Sequence, residues 1–107
     1  MATYANTSYV AKNVGTSAST LTTVSSGTIS ITSLLVANTT SSPITCDVYI
    51  TRSATDYYIV KTATVPVGGS LEVIGGNRVV LIASDALKVV SSAASSDDVV
   101  VSVLTAV

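Results

Sequence analysis

Turn-forming residues break the stretch 65–92 every few positions, and only short apolar runs remain between them. Val65-Pro66-Val67 runs into Gly68-Gly69, residues 71–74 into Gly75-Gly76-Asn77, residues 79–82 into Ser84-Asp85, and residues 87–90 into Ser91-Ser92. A helix needs roughly ten or more residues, and none of these runs is long enough. Gly and Asn, by contrast, tolerate the positive φ that tight reversals between antiparallel strands require. No other segment carries a 3.6-residue apolar period, so helix content is expected to be close to nil. The chain reads as all-β: an antiparallel β-sandwich or jelly-roll-like barrel of about eight or nine short strands.

The rest of the chain fits that pattern. Residues 2–19 are small and polar, with Tyr4, Tyr9, Val10 and Val14 as the sizeable apolar side chains. They predict an edge strand near 8–13 after a loose tail, or an arm that orders against a neighbouring subunit. Strands follow at 21–24 and 28–38, and Leu34-Leu35-Val36 suggests a strand covered on both faces. After the turn at 38–43, Ile44, Cys46, Val48 and Ile50 alternate with Thr45, Asp47, Tyr49 and Thr51, as in a half-buried strand. A hairpin loop at 53–56 returns the chain through 57–65. At the other end, Val99, Val101 and Val103 share one face and Val100, Ser102 and Leu104 the other, so this strand is expected centrally or at an interface. The domain reading is an N-terminal arm or edge strand over 1–19 and one sandwich over 20–107. With 107 residues there is room for one modest core.

Charge narrows the function classes. Only 10% of residues are charged and the net charge is −1, against about 25% charged residues in an average domain. The cations Lys12, Arg52, Lys61, Arg78 and Lys88 are scattered, which argues against direct nucleic-acid binding, since phosphate recognition needs clustered cations. A mean hydropathy of +0.63 reflects missing charges. The longest apolar run, 79–83, falls far short of the roughly 20 residues of a spanning helix, so no membrane association is expected. The first residues lack a basic and an apolar signal region, which predicts cytoplasmic synthesis. Asn6-Thr7-Ser8 and Asn38-Thr39-Thr40 match the glycosylation pattern but read as turn residues.

Catalytic and metal chemistry find little footing. The chain has one Cys and no His, so Cys46 lacks an obvious base and reads as a buried, inert thiol. Zinc needs about four ligands, and no cofactor is expected. Asp85, Asp97 and Asp98 could suggest calcium, but their spacing matches no EF-hand loop. The plainer reading of Asp97-Asp98 is a charged strand entry that keeps a β edge from mispairing. No two carboxylates stand out as a glycosidase pair. The Gly-Gly pairs lack the following helix of a phosphate loop. Tyr49, Tyr57 and Tyr58 are left as interface candidates, joined by Val100 and Leu104, because tyrosine offers large contact area at low entropic cost.

Three segments resemble small virion proteins of tailed bacteriophages, those of marine and cyanobacterial phages in particular. They are Leu35-Val36-Ala37-Asn38-Thr39-Thr40-Ser41-Ser42-Pro43-Ile44-Thr45, Asp47-Val48-Tyr49-Ile50-Thr51-Arg52-Ser53 and Asp56-Tyr57-Tyr58-Ile59-Val60-Lys61. Val67-Gly68-Gly69-Ser70-Leu71, Leu87-Lys88-Val89 and Ser91-Ser92-Ala93-Ala94-Ser95-Ser96 continue the likeness, which spans about 30–105. The resemblance implies a non-enzymatic jelly-roll or sandwich protein of the virion, foremost a capsid decoration (cement) protein. Its partners would then be the major capsid protein or neck and tail proteins, with self-association into a homo-oligomer. A neck, tail or fibre-base component, or a host-surface carbohydrate-binding module using Tyr49 and Tyr58, are the alternatives. No catalytic residue is carried over.

Overall fold

A computed structural model of the chain describes residues 4–74 and 77–106. The Gly75-Gly76 turn and residues 1–3 of the expected arm lie outside the described residues. The described residues form nine strands: β1 (Tyr4–Val14), β2 (Ser19–Thr23), β3 (Thr28–Asn38), β4 (Ile44–Arg52), β5 (Thr55–Val65), β6 (Ser70–Glu72), β7 (Val79–Ile82), β8 (Ala86–Ser91) and β9 (Asp97–Ala106). The described residues contain no helix. β1 is longer than the sequence suggests, because β9 offers backbone partners from Tyr4↔Ala106 through Ala11↔Val99. Pairing thus overrides the weak strand propensity of a small, polar segment.

The strands form two antiparallel sheets. One runs β1-β9-β3-β6 with β7 also on β3, and the other runs β2-β8-β4-β5. Strand one therefore pairs with the last, the second with the last but one, and so on inward to the β4–β5 hairpin. A long hairpin rolled up on itself gives this nested order, the jelly-roll arrangement. Together β6 and β7 occupy a single edge position beside β3.

Period-two alternation sends one set of side chains between the sheets. Ile31, Leu34 and Val36 of β3, Val48 of β4, Leu81 of β7, Leu87 and Val89 of β8, and Val99 and Val101 of β9 are all fully buried there. Each such side chain contributes about 1.5–3 kcal/mol. With no Phe or Trp in the chain, the interior is almost wholly aliphatic.

Polar groups fix the corners. Gly68 takes φ +69 in the turn closed by the Gly69 N–H donating to Pro66 O at 3.1 Å, the position where a type II turn requires glycine. Asn38, at the end of β3, donates from Nδ2 to Ser42 O and Val65 O, while its Oδ1 accepts from Thr40 N and Thr40 Oγ1. Its full hydrogen-bonding capacity is used. At the start of β8, the Arg52 guanidinium grips Asp85 through Nε–Oδ1 (2.7 Å) and Nη2–Oδ2 (2.5 Å), and Ile82 N–H donates to Oδ2. This clasp ties β4 to the β7–β8 corner, and Val24 N–H donates to Asp85 O from the β2 side.

Candidate functional site: the outer face of the five-stranded sheet

Residues that alternate with the core positions face away from the sandwich. On the five-stranded sheet they form an ordered pattern across strands. Val10 on β1 pairs with Val100 on β9, which pairs in turn with Leu35 on β3. These three apolar side chains thus lie in one row across three adjacent strands, and they are 73%, 44% and 41% exposed. The next row in contact across the same strands is polar: Ser8, Ser102 and Ser33. Beyond it, Leu104 and Val80 flank Ser30, and Ile82 lies two residues along β7 from Val80, with both β7 side chains 45% exposed. Two largely apolar rows separated by a band of serine make a nearly uncharged surface. Glu72 and Lys12 mark its borders, with Glu72 accepting from Ser33 Oγ at 2.7 Å and Lys12 paired to Asp98 at 3.1 Å.

The interface candidates read from the sequence are divided by the fold. Val100 and Leu104 lie on this face. Tyr49 and Tyr58 lie on the outer face of the other sheet, opposite one another in the β4–β5 register. Their rings meet at 5.1 Å between centroids, tilted by 44°, and Lys61 Nζ sits 4.5 Å from the Tyr58 ring centroid. Lys61 also pairs with Asp47 at 3.5 Å. Tyr49 is consequently only 8% exposed, its neighbours on its own sheet having covered it. Tyr57 points to the opposite side of β5, where it lines a shallow depression of about 380 Å³ with Ile50 and Arg52. Neither Tyr57 nor Tyr58 enters the core.

Val10, Leu35, Val80 and Ile82 are the members of the face that the sequence did not single out. Leu35 was masked by its setting, since Leu34-Leu35-Val36 looks like a strand covered on both sides. Leu34 and Val36 are indeed buried, but Leu35 is left 41% exposed.

Titratable groups are dispersed. Cys46 lies in the core at 1% exposure, and burial, with Asp97 and Asp47 adding to it, pushes its thiol up to about 11. A thiol held neutral in this way is a poor nucleophile. Asp85 and Asp97 sit at opposite ends of β8, so they cannot share an ion with Asp98. No group of three or more His, Cys, Asp or Glu suited to a metal ion occurs among the described residues. Asp97 also departs from the reading of a charged edge guard. It opens β9, a strand paired on both sides, and its side chain is fully buried. No helix of the described chain is long and apolar enough to cross a membrane.

No family model and no curated protein matches the chain. Among solved structures it is similar to a subunit of Bacillus endospore appendages, described as a novel family of disulfide-linked pili. The TM-score is 0.59 at 15% identity, covering 100% of this chain and 91% of the other. At that identity the likeness speaks to the fold.

Proposed function

We propose that this chain is a non-enzymatic structural subunit that works by docking the outer face of its five-stranded sheet onto neighbouring subunits, as a capsid decoration protein of a bacteriophage virion does. The observation that carries the reading is the Val10–Val100–Leu35 row, three apolar side chains in lateral register that are 41–73% exposed. Exposed apolar surface in this organised form marks a site of association. An extended sheet face suits a lattice, where modest apolar burial per contact is summed over many copies. Three of the five cations are already neutralised, Lys12 by Asp98, Arg52 by Asp85 and Lys61 by Asp47, so partners are proteins and not the packaged nucleic acid.

A second reading, a filament subunit, is favoured by the fold shared with the endospore appendage protein. Cys46 is the sole cysteine and is buried, so covalent linkage through disulfides would not be available to this chain. Locating the protein in purified particles separates the possibilities. A copy number matching the shell lattice supports decoration, a single ring of copies moves the chain to the neck or tail, and absence from particles overturns the virion reading.

A further inference from the structure

Two aspartates are fully buried in this sandwich, Asp85 and Asp97, and their surroundings are opposite. Asp85 receives the Arg52 fork and the Ile82 N–H. Among the described residues neither carboxylate oxygen of Asp97 has a hydrogen-bond partner within ordinary bonding geometry. Asp97 shares the inward face of β9 with Val99, Val101 and Val103, at the end of the sandwich closed by the 92–96 turn. In the sheet it pairs with Val14 of β1 and Asn38 of β3. The Asn38 side chain is spent on the 38–42 turn and Val65 O, and the Ser91 and Ser96 hydroxyls bond each other. Of the polar groups around Asp97, the Ser91 hydroxyl still acts on it, but that hydroxyl is shared with Ser96.

A carboxylate charge in that position would be uncompensated, and burial without a partner favours the neutral acid. The charged and titratable groups around it reinforce this. From β4 comes the Cys46 thiol, itself held neutral. On β9 the neighbouring Asp98 carries its charge on the other face, where Lys12 and the Asn13 N–H of β1 hold it. β3 and β8 present Asn38 and Ser91, which do not titrate. Burial, with the Asp98 charge adding to it and the Ser91 hydroxyl opposing, pushes Asp97 up to about 6.

We propose that Asp97 is a proton-operated latch: as the neutral acid it lets the 92–96 turn close over the end of the sandwich, and on ionisation it drives that end toward opening. The bonds it would loosen are those that fasten the turn, Ser96 N–H to Val14 O (2.9 Å) and Thr39 N–H to Ser96 O (2.9 Å). The chain has no histidine, the side chain that ordinarily titrates between pH 5 and 8. Asp97 takes over that window. The latch is independent of whether the outer face docks.

The sign follows from linkage. The folded state holds the proton more tightly than the unfolded chain, so the stabilisation is fully present below the ordinary aspartate value of 3.8 and is lost as pH rises through about 6. Between pH 5 and pH 8 the folding equilibrium constant should fall about tenfold. Urea unfolding of the wild type, Asp97→Asn and Asp97→Ala across that range tests the proposal, together with amide exchange at Ser96 and Thr39 corrected for its intrinsic pH dependence. The expected result is a wild type that weakens toward pH 8, with early loss of protection at Ser96, and variants whose stability is level. If either variant fails to fold, the wild-type slope and the Ser96 protection decide. A wild type equally stable at both pH values, or a slope that survives in a folded variant, overturns the latch.

Discussion

Ser53 and Ala54 reverse the chain between β4 and β5 with both φ angles positive, 53° and 62°. A two-residue reversal of this type is the one whose twist matches the flanking strands, and Asn-Gly is its preferred sequence. Left-handed backbone costs an ordinary residue about 1–2 kcal/mol, so Ser53→Asn with Ala54→Gly should stabilise the protein by about 1 kcal/mol, read as a melting temperature raised by several degrees. A second residue-scale expectation concerns Cys46. Its thiol should resist labelling in the native protein and react on denaturation, and Cys46→Ser should cost about 1–3 kcal/mol through a poorly paired buried hydroxyl. Rapid native labelling would place the strand in the opposite register. The Arg52–Asp85 clasp gives a third. Hydrogen bonds from Arg52 hold the Asp85 carboxyl below its ordinary value, so the clasp stabilises above the ordinary carboxylate range and is lost as pH falls below it. Arg52→Ala should lower the urea midpoint at neutral pH, and the gap to wild type should close on acidification; a gap that persists in acid would show that the clasp acts by packing and not by charge.

At the scale of elements, β9 decides what each substitution means. Val101 and Val103 are buried while Val100 is 44% exposed, so alternate positions of one strand have opposite roles. Val101→Asp places an unpaired charge between the sheets and should cost about 4 kcal/mol or more. Val100→Asp should leave the folding stability of the monomer within about 0.5 kcal/mol, as surface changes do, when both variants are compared at a dilution where the protein is monomeric. Circular dichroism melts of the two variants check this, and equal destabilisation would mean that both faces belong to one core. The strands β3 and β7 were legible to the residue, because alternation and flanking turn residues bound them tightly. The hairpin turn after β4 was legible from composition, but it takes only Ser53 and Ala54, because Thr55 and Asp56 already pair with Arg52 and Thr51 in the β4–β5 ladder. What the sequence could not supply was coverage. Local pattern shows that a side chain is apolar, but whether Tyr49 is hidden by Tyr58, or Leu35 left open, depends on which strands become neighbours across long stretches of chain. Asp97 was misread for the same reason: an acidic pair before a valine run looks like an exposed strand entry, and only the nested pairing of β9 between β1 and β3 buries it.

For the whole molecule, the two buried aspartates act at opposite ends of the pH scale. Asp85, and Asp98 held by Asn13 N–H and Lys12, favour the folded state above the carboxylate range, while Asp97 favours it below about 6. Stability should therefore peak in mildly acidic solution. The molecule is elongated, 48 × 27 × 21 Å, and exposes one broad apolar sheet face with few charges to keep copies apart. Low net charge promotes association, and covering that face gives it a specific form. Sedimentation velocity on the wild type and on the double variant Leu35→Asp/Val100→Asp tests this most directly. The wild type should sediment as an oligomer, and the double variant as a monomer with an unchanged circular dichroism spectrum and a melting temperature lowered only by the loss of association. A wild type that stays monomeric at every concentration, or a double variant that keeps the wild-type oligomer, would contradict docking through the outer face.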